Sequence, residues 1–327
     1  MEDPTKMVST IYDFELSKKV AWMRKNFKGG RALFTQPPAP LKCGGAPQKI
    51  VYLCEDYWKK NEIKADLHFF TPLPQIFGVA YYSKPLTEIA LKKGITPHYT
   101  SQLISISDGV ATFKNTVTNE IFEEKFDFLH AIPHLSAPNY LIGSPVSNAA
   151  GFVDVDRNMR HKKYQNVWAI GDCVALPNAK TAAAAYSEAP VLVHNLKNQL
   201  EKENESKPTA LYDGYSACPL YITKGTLLLA EFKEFNNEKG ELVRDTDESF
   251  QPGQQTKPTR FYYWMTYACT YMYRVGIKGY WFGKNTIIKP KFTPNEVDIR
   301  MYYKYLIKLL YVPVFALTYL IFSIYVY

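Results

Sequence analysis

The sequence predicts an α/β protein with a largely parallel sheet, followed by a C-terminal region that associates with a membrane. Three observations lead there. Between Gln48 and Pro133, apolar runs of strand length alternate with amphipathic runs of helix length, the rhythm that joins parallel strands through crossovers. The 327 residues are 46% hydrophobic and 21% charged, which excludes a disordered chain, a collagen-like repeat and a polytopic membrane protein. The last stretch, Leu309 to Tyr327, is 19 residues without a charge, about 28 Å if helical and close to the thickness of a bilayer core.

Taken in order, Ile11 to Phe27 has helical apolar spacing, basic residues near its end and Gly29-Gly30 as a stop. Arg31 to Thr35 is a short strand broken by Pro37, Pro38 and Pro40. Pro47 suits the first turn of a helix that continues from Gln48 to Lys60. Lys64 to Phe70 is a strand, Ser83 to Lys93 a helix stopped by Gly94, and His98 to Ile106, Val110 to Asn115 and Lys125 to Ile132 are strands. Gly151 to Asp156 and Asn166 to Asp172 are short strands, and Asn178 to Leu200 is a long helix whose start, Thr181 to Ala185, is made of small residues. Glu201 to Lys207 is a polar linker, Phe261 to Trp281 is crowded with Tyr and Trp, and Lys284 to Lys308 carries six basic against two acidic residues.

The five cysteines, Cys43, Cys54, Cys173, Cys218 and Cys269, are odd in number and widely spaced. They form neither a dense disulfide scaffold nor a zinc pattern, and no metal site is expected. The N-terminal residues have neither an apolar signal core nor an Arg-rich amphipathic leader. A net charge of +8 suits a membrane surface, a nucleic acid or an anionic substrate, but no basic helix or aromatic RNA-binding pattern supports nucleic acid.

The sharpest local signal is Val167-Trp168-Ala169-Ile170-Gly171-Asp172. A strand ending in Gly-Asp presents a carboxylate at the edge where open α/β sheets bind ligands, and Gly171 allows close backbone approach. That carboxylate can hydrogen-bond a polyol; the plainer reading is a turn Asp that caps the next helix. Cys43 precedes a predicted helix N-terminus, where amide groups and the helix dipole favour a thiolate. A cysteine taken alone is more often a small buried hydrophobe.

The Val-Trp-Ala-Ile-Gly-Asp string resembles the second flavin-binding fingerprint of the two-dinucleotide-domain flavoproteins. Four further stretches are Leu41 to Ile50 (LKCGGAPQKI), Gln75 to Val79 (QIFGV), Leu176 to Ala184 (LPNAKTAAA) and Tyr212 to Leu220 (YDGYSACPL). With them, residues from about 11 to 283 resemble the eukaryotic, mitochondrial type of sulfide:quinone oxidoreductase. The resemblance implies two Rossmann-like dinucleotide-binding domains, the first incomplete. It divides the chain into the end of a first FAD segment (1–43), an NAD(H)-like α/β domain (44–148), a second FAD segment (149–205), a quinone- and membrane-facing region (206–283) and a basic flank with an apolar tail (284–327). It implies FAD as cofactor, with Asp172 on the ribityl chain beside Gly171, and Lys180 and Thr181 opening a helix at the isoalloxazine, their backbone N–H groups facing the reduced ring. It implies that Cys43 and Cys218 are the redox pair, bridged by sulfur and facing the flavin, with Lys42 and Lys49 adding positive potential for hydrosulfide.

The implied reaction oxidises hydrogen sulfide to sulfane sulfur, hands that sulfur to an acceptor such as glutathione or sulfite, and delivers two electrons through FAD to ubiquinone at the mitochondrial inner membrane. Cys54 and Cys269 read as packing, and Cys173 sits beside the cofactor position without matching the redox pair. One departure stands out. No GxGxxG turn follows a first strand, so the main pyrophosphate site of the family is absent from this sequence. Weak FAD binding by this chain alone is therefore expected, and the alternative reading is a non-catalytic remnant without FAD, or a partial product of the same family. An NADH:quinone oxidoreductase is disfavoured, because only Gly78 lies where a glycine-rich nicotinamide turn is needed.

Overall fold

The computed structural model of the chain describes residues 6–201, 208–237, 239–248 and 253–275. The basic flank, the apolar tail, Lys278 to Trp281 and linker residues 202–207 lie outside the described residues, as does the side chain of Cys269.

The scaffold is a parallel sheet of five strands in the order β1-β8-β2-β3-β4: β1 Val8–Ser9, β2 Gly30–Thr35, β3 Ala65–Phe70, β4 Ile95–His98 and β8 Phe128–His130. Strand alternation sorts its apolar side chains onto two faces. Ala32, Phe34, Leu67, Phe69 and Phe128 join the larger core on the helix side. Leu33, Phe70 and Leu129 meet Ala111 and Phe113 on the other side. Both faces are thus covered, which is why these strands are apolar almost throughout. Two of the five strands, β1 and β2, precede Gln48; β2 is buried between β8 and β3, so the sheet begins earlier in the chain than the Gln48–Pro133 rhythm indicates.

Helices α1 Phe14–Asn26, α2 Ala46–Lys60 and α3 Ala80–Lys92 follow β1, β2 and β3 in turn. Asp13 caps α1 by accepting from the Leu16 N–H at 2.9 Å, so the helix starts after Ile11. Trp58 of α2, 1% exposed, packs against Phe27, Phe34 and Phe128. The predicted strand His98 to Ile106 is two strands. Thr100 at φ 48° reverses the chain, so β4 stays in the parallel sheet while β5 Ser101–Ser107 starts an antiparallel one with β6 Val110–Asn115 and β7 Ile121–Lys125. Lys125 to Ile132 divides likewise into β7 and β8; between them the Asp127 carboxylate accepts from the Arg31 N–H at 2.8 Å and fixes the crossing.

Gly151 to Asp156 and Asn166 to Asp172 make isolated bridges rather than strands, since each pairs at single residues: Val153 with Val174, Val155 with His161, and Arg160 with Trp168. Helix α4 runs over Ala182–Glu201, and β9 Tyr215–Thr223, β10 Thr226–Asn236 and β11 Leu242–Thr246 form a second antiparallel sheet. The buried row of β9, with Cys218, Leu220 and Ile222, closes over α2 and completes the larger core. Helix α5, Arg260–Val275, packs against β10. Among the described residues no helix is long and apolar enough to cross a membrane.

Candidate functional site

Three segments meet at the site: the loop entering α2, the turn entering α4, and the inward row of β9. Cys43 sits in the first with a left-handed backbone, φ 51°, a strained conformation for a non-glycine residue. It is held from both sides. Its N–H donates to the Lys180 carbonyl at 2.7 Å, and its own carbonyl accepts from the Ala46 N–H at 2.8 Å. Lys42 and Lys180 form a parallel bridge across the same gap, and the Tyr12 hydroxyl donates to the Lys42 carbonyl at 2.6 Å.

Cys218 comes from β9 and is buried. The two cysteines are free thiols, close enough to share a proton. The hydrogen bond from Cys218 outweighs the opposing effect of burial and, helped by the Lys49 ammonium and the Gly45 N–H, brings the Cys43 thiol down to about 5. That same hydrogen bond, with burial, pushes Cys218 well up. One proton thus resides on Cys218 and one negative charge on Cys43. Lys49, one turn into α2, donates to Cys43 Sγ at 3.4 Å. Burial would pull its ammonium down, but the single negative charge shared by the Cys218–Cys43 pair holds it up. Tyr12 is pushed up by burial and then by both cysteine sulfurs, so it stays a neutral donor. Gly45 makes the approach possible: a Cβ there would overlap Cys218 Sγ and come within 2.7 Å of Leu220 Cδ2.

The turn into α4 is built around a buried carboxylate. Gly171, at φ 80°, opens the short 3-10 turn Gly171–Cys173. Its N–H donates to Glu188 Oε2 at 2.6 Å, and Asn178 Nδ2 donates to Glu188 Oε1 at 2.8 Å. Burial raises Glu188, against the Gly171 N–H and Lys180, which favour its charge. Asp172 is part-exposed, 3.9 Å from Lys42 Nζ, a separation worth at most about 1 kcal/mol at such exposure. Lys180 turns inward: Nζ donates to the Val174 and Leu176 carbonyls at 2.8 and 3.0 Å and to Asn178 Oδ1 at 3.0 Å. Burial lowers its ammonium, opposed by Glu188 and Asp172. Thr181 caps α4, its hydroxyl accepting from the Ala184 N–H at 3.1 Å and bonding Ser216 Oγ at 2.6 Å. The Thr181 N–H donates to the Ala179 carbonyl at 3.0 Å, so it is engaged within its own turn.

The row Ser216, Cys218, Leu220 therefore serves the whole site, because alternate residues of one strand share a face. Ser216 holds the α4 cap, Cys218 meets Cys43, and Leu220 packs by Gly45. A cavity of about 320 Å³ runs from Gly45 and Cys218 past Lys180 to Glu234 and Arg244. A smaller one, about 110 Å³, is bounded by Lys42, Asp172, Cys173 and Lys180. Pro40, Leu41 and Lys180 line both, so Asp172, Lys180, Thr181 and Cys218 fall in one continuous region, with Gly171 next to Asp172 and Cys43 bonded through its N–H to the Lys180 carbonyl. The other two cysteines with described side chains are inert by comparison: burial pushes Cys54 up to about 12, and it raises Cys173, whose thiol donates to the Ile170 carbonyl at 3.3 Å. Sequence reasoning missed Tyr12, Glu188 and Arg244. Glu188 alone left a sign, a charged residue among the small and apolar residues of α4.

A scan against protein-family models finds no match. In sequence the chain is 37% identical over 309 residues to the mitochondrial sulfide:quinone oxidoreductase of Schizosaccharomyces pombe, covering 90% of this chain and 65% of that protein. The corresponding proteins of Dictyostelium discoideum and Mus musculus are 36% and 35% identical, with 88% and 84% of this chain and 63% and 60% of theirs covered. The chain thus spans somewhat under two thirds of the length of the relatives it matches. Among solved structures, the sulfide:quinone oxidoreductase of Aquifex aeolicus superposes with a TM-score of 0.63 at 15% identity, over 81% of this chain and 62% of that one. A chain in the mitochondrial ATP synthase structure of Tetrahymena thermophila superposes with a TM-score of 0.60 at 23% identity, over 85% of this chain and 65% of its own length. Both share the fold at these identities. Along most of its length the chain is therefore similar to mitochondrial sulfide:quinone oxidoreductases.

Proposed function

We propose that the chain carries the sulfur-handling centre of an FAD-dependent sulfide:quinone oxidoreductase that works at the mitochondrial inner membrane. The observation that carries this reading is the Cys43–Cys218 thiol pair, charged on one sulfur, backed by Lys49 and tied through Lys180 and Thr181 to the Asp172 turn.

The residues fit the ring-and-ribityl end of a flavin. Asp172 and Lys42 supply a carboxylate and an ammonium beside the smaller cavity. In the larger one the Oε1 of Gln36, itself 4% exposed, has no partner; a buried acceptor of this kind suits a ligand with an N–H. Gly171, Asp172, Lys180 and Thr181 would hold that end. When bound, FAD supplies a two-electron acceptor.

The chain's own part is thiol exchange. In the oxidised pair, hydrosulfide attacks the sulfur on the Cys218 side. A bond forms between the incoming sulfur and that sulfur, the S–S bond towards Cys43 breaks, and its electron pair stays on the Cys43 side as thiolate. This direction follows from acidity, since the more acidic thiol is the faster leaving group. Lys49 compensates the charge as it forms, and Tyr12 keeps the Cys43 loop in place. A ubiquinone-type acceptor and a membrane surface complete the reading. Exposed Phe261, Trp264 and Tyr267 on α5 support the latter, as aromatic side chains favour the bilayer interface.

The test is to extract the full chain in detergent, add FAD and record the visible spectrum before and after sulfide. Sulfide-dependent bleaching is expected, and Cys43→Ser or Cys218→Ser should lower its rate by on the order of 10³-fold or more. Bleaching that survives both substitutions removes the pair from the mechanism. A protein that stays colourless with FAD favours the alternative, a remnant without FAD or a partial product of the same family.

A further inference from the structure

A buried charge stands behind the turn into α4, and every proton around it is placed. Glu188 is fully buried near the start of α4. Both of its oxygens accept, Oε2 from the Gly171 N–H at 2.6 Å and Oε1 from Asn178 Nδ2 at 2.8 Å. That is the pattern of an ionised carboxylate, which can only accept. Asn178 is buried as well, and both ends of its amide are engaged. Nδ2 also donates to the Tyr212 hydroxyl at 3.2 Å, which itself donates to the Tyr215 carbonyl at 2.8 Å. Oδ1 accepts from Lys180 Nζ at 3.0 Å, and the same ammonium donates to the Val174 and Leu176 carbonyls.

The direction of these bonds follows from the carboxylate. Because Glu188 offers only acceptors, Asn178 turns its NH2 group towards it, which leaves Oδ1 for Lys180. The Lys180 ammonium is then held inside the turn, and the backbone of Lys180 is left to reach its neighbour: its carbonyl accepts from the Cys43 N–H at 2.7 Å. One carboxylate thus orders two parts of the site, the Gly171-Asp172 turn directly and the Cys43 loop through Asn178 and Lys180. We propose that Glu188 is a positioning residue that, as an anion, locks Lys180 inward through Asn178 and so joins the Asp172 turn and the Cys43 loop into one unit. The inference rests on the reading above, in which that turn holds a flavin and that loop carries the reactive sulfur.

An amide of the same shape cannot replace the carboxylate. In Glu188→Gln, either the Gly171 N–H or Asn178 Nδ2 faces a second N–H donor. Turning Asn178 over relieves that conflict only by setting its NH2 group against the Lys180 ammonium. Moving the carboxylate one step along the chain of bonds restores every pairing. With Glu188→Gln and Asn178→Asp together, the new amide oxygen accepts from Gly171, the new amide nitrogen donates to the carboxylate at position 178, and that carboxylate accepts from Lys180.

The test uses the full chain without flavin. Lys180 is acetylated with an N-hydroxysuccinimide ester, and the reaction is followed by site-resolved mass spectrometry. Acetylation should be slow in the unaltered chain and at least about tenfold faster in Glu188→Gln, the equivalent of one lost charge-assisted hydrogen bond. The double variant should return towards the slow rate, a coupling that independent packing losses do not give. A rate unchanged in Glu188→Gln, or a double variant as fast as the single one, overturns the lock. Alkylation of Cys43 against pH reads the far end. Removing a nearby negative charge by itself moves a thiol's inflection down, whereas a loosened loop that loses the Cys218 hydrogen bond moves it up. An upward shift is expected in Glu188→Gln, and a downward or absent one overturns the link to Cys43. If Glu188→Gln alone does not fold, recovery of folded chain in the double variant reads the same complementarity, and its failure overturns the proposal. If these readouts come out as expected and FAD still does not bind, the flavin reading fails and the lock stands.

Discussion

Charge on a single sulfur organises the chemistry at the scale of the residue. Cys43 is held near 5 by Cys218, Lys49 and the Gly45 N–H together, so at neutral pH it is a thiolate without help from any catalytic base. Replacing Lys49 by Met removes the ammonium and should move the inflection in pH-dependent alkylation of Cys43 upwards; an unmoved inflection would assign the low value to Cys218 alone. Gly45→Ala places a methyl group where Cys218 Sγ lies. The pair should then separate, and mild oxidation should no longer join the two cysteines on a non-reducing gel. Cys43, Gly45 and Lys49 were legible in the sequence because they lie in one motif, and Cys218 because it lies in a second. Tyr12 and Arg244 were not, since a hydroxyl 31 positions from Cys43 and an arginine 26 positions beyond Cys218 gain their roles only from tertiary pairing.

Among the elements, β9 does more than its sequence indicates. An alternating strand of nine residues is ordinary, but here each inward residue meets a different structure: the α4 cap, the cysteine loop, then the core behind α2. Ser216→Ala would leave the Thr181 hydroxyl without its 2.6 Å partner and should cost about 1–3 kcal/mol in denaturant unfolding. A larger loss is expected from Trp58→Ala, which empties the centre of the aromatic cluster on α2 and should cost about 3–5 kcal/mol. The helices were readable from spacing and punctuation, and α2 begins within two residues of where Pro47 indicates. Gly151 to Asp156 and Asn166 to Asp172 read as strands, and fail to form them, for a physical reason. Short apolar runs resemble strands locally, whereas a strand requires a neighbour in register over several residues, and these runs find single-residue bridges.

For the whole molecule, the parallel sheet buries a histidine that has to stay neutral. His130 is fully buried on β8, its Nε2 accepts from the Ile11 N–H at 3.1 Å, and burial lowers it from 6.5 to about 3. His98, at the end of β4, is lowered to about 4 by burial and then by His68 and Arg31. Both bind protons more readily in the unfolded chain, so stability is greatest above pH 6.5 and falls as the pH drops towards 4 and 3. Thermal unfolding followed from pH 7.5 to pH 4 (both about) should show this decline, and His130→Gln should flatten it. An equally steep profile in that variant would move the origin to the carboxylates.

The two sulfurs of the site are 175 positions apart in the chain, from 43 to 218, on elements that touch only after β9 has docked on α2. At about 5–20 residues per second, a ribosome needs roughly 9 to 35 s to make the second after the first. For that interval the thiol of Cys43 lacks the partner that governs its acidity. The first half of the chain can fold around its parallel sheet meanwhile, but the reactive centre is born only when the second half arrives, so its chemistry stays latent through most of synthesis.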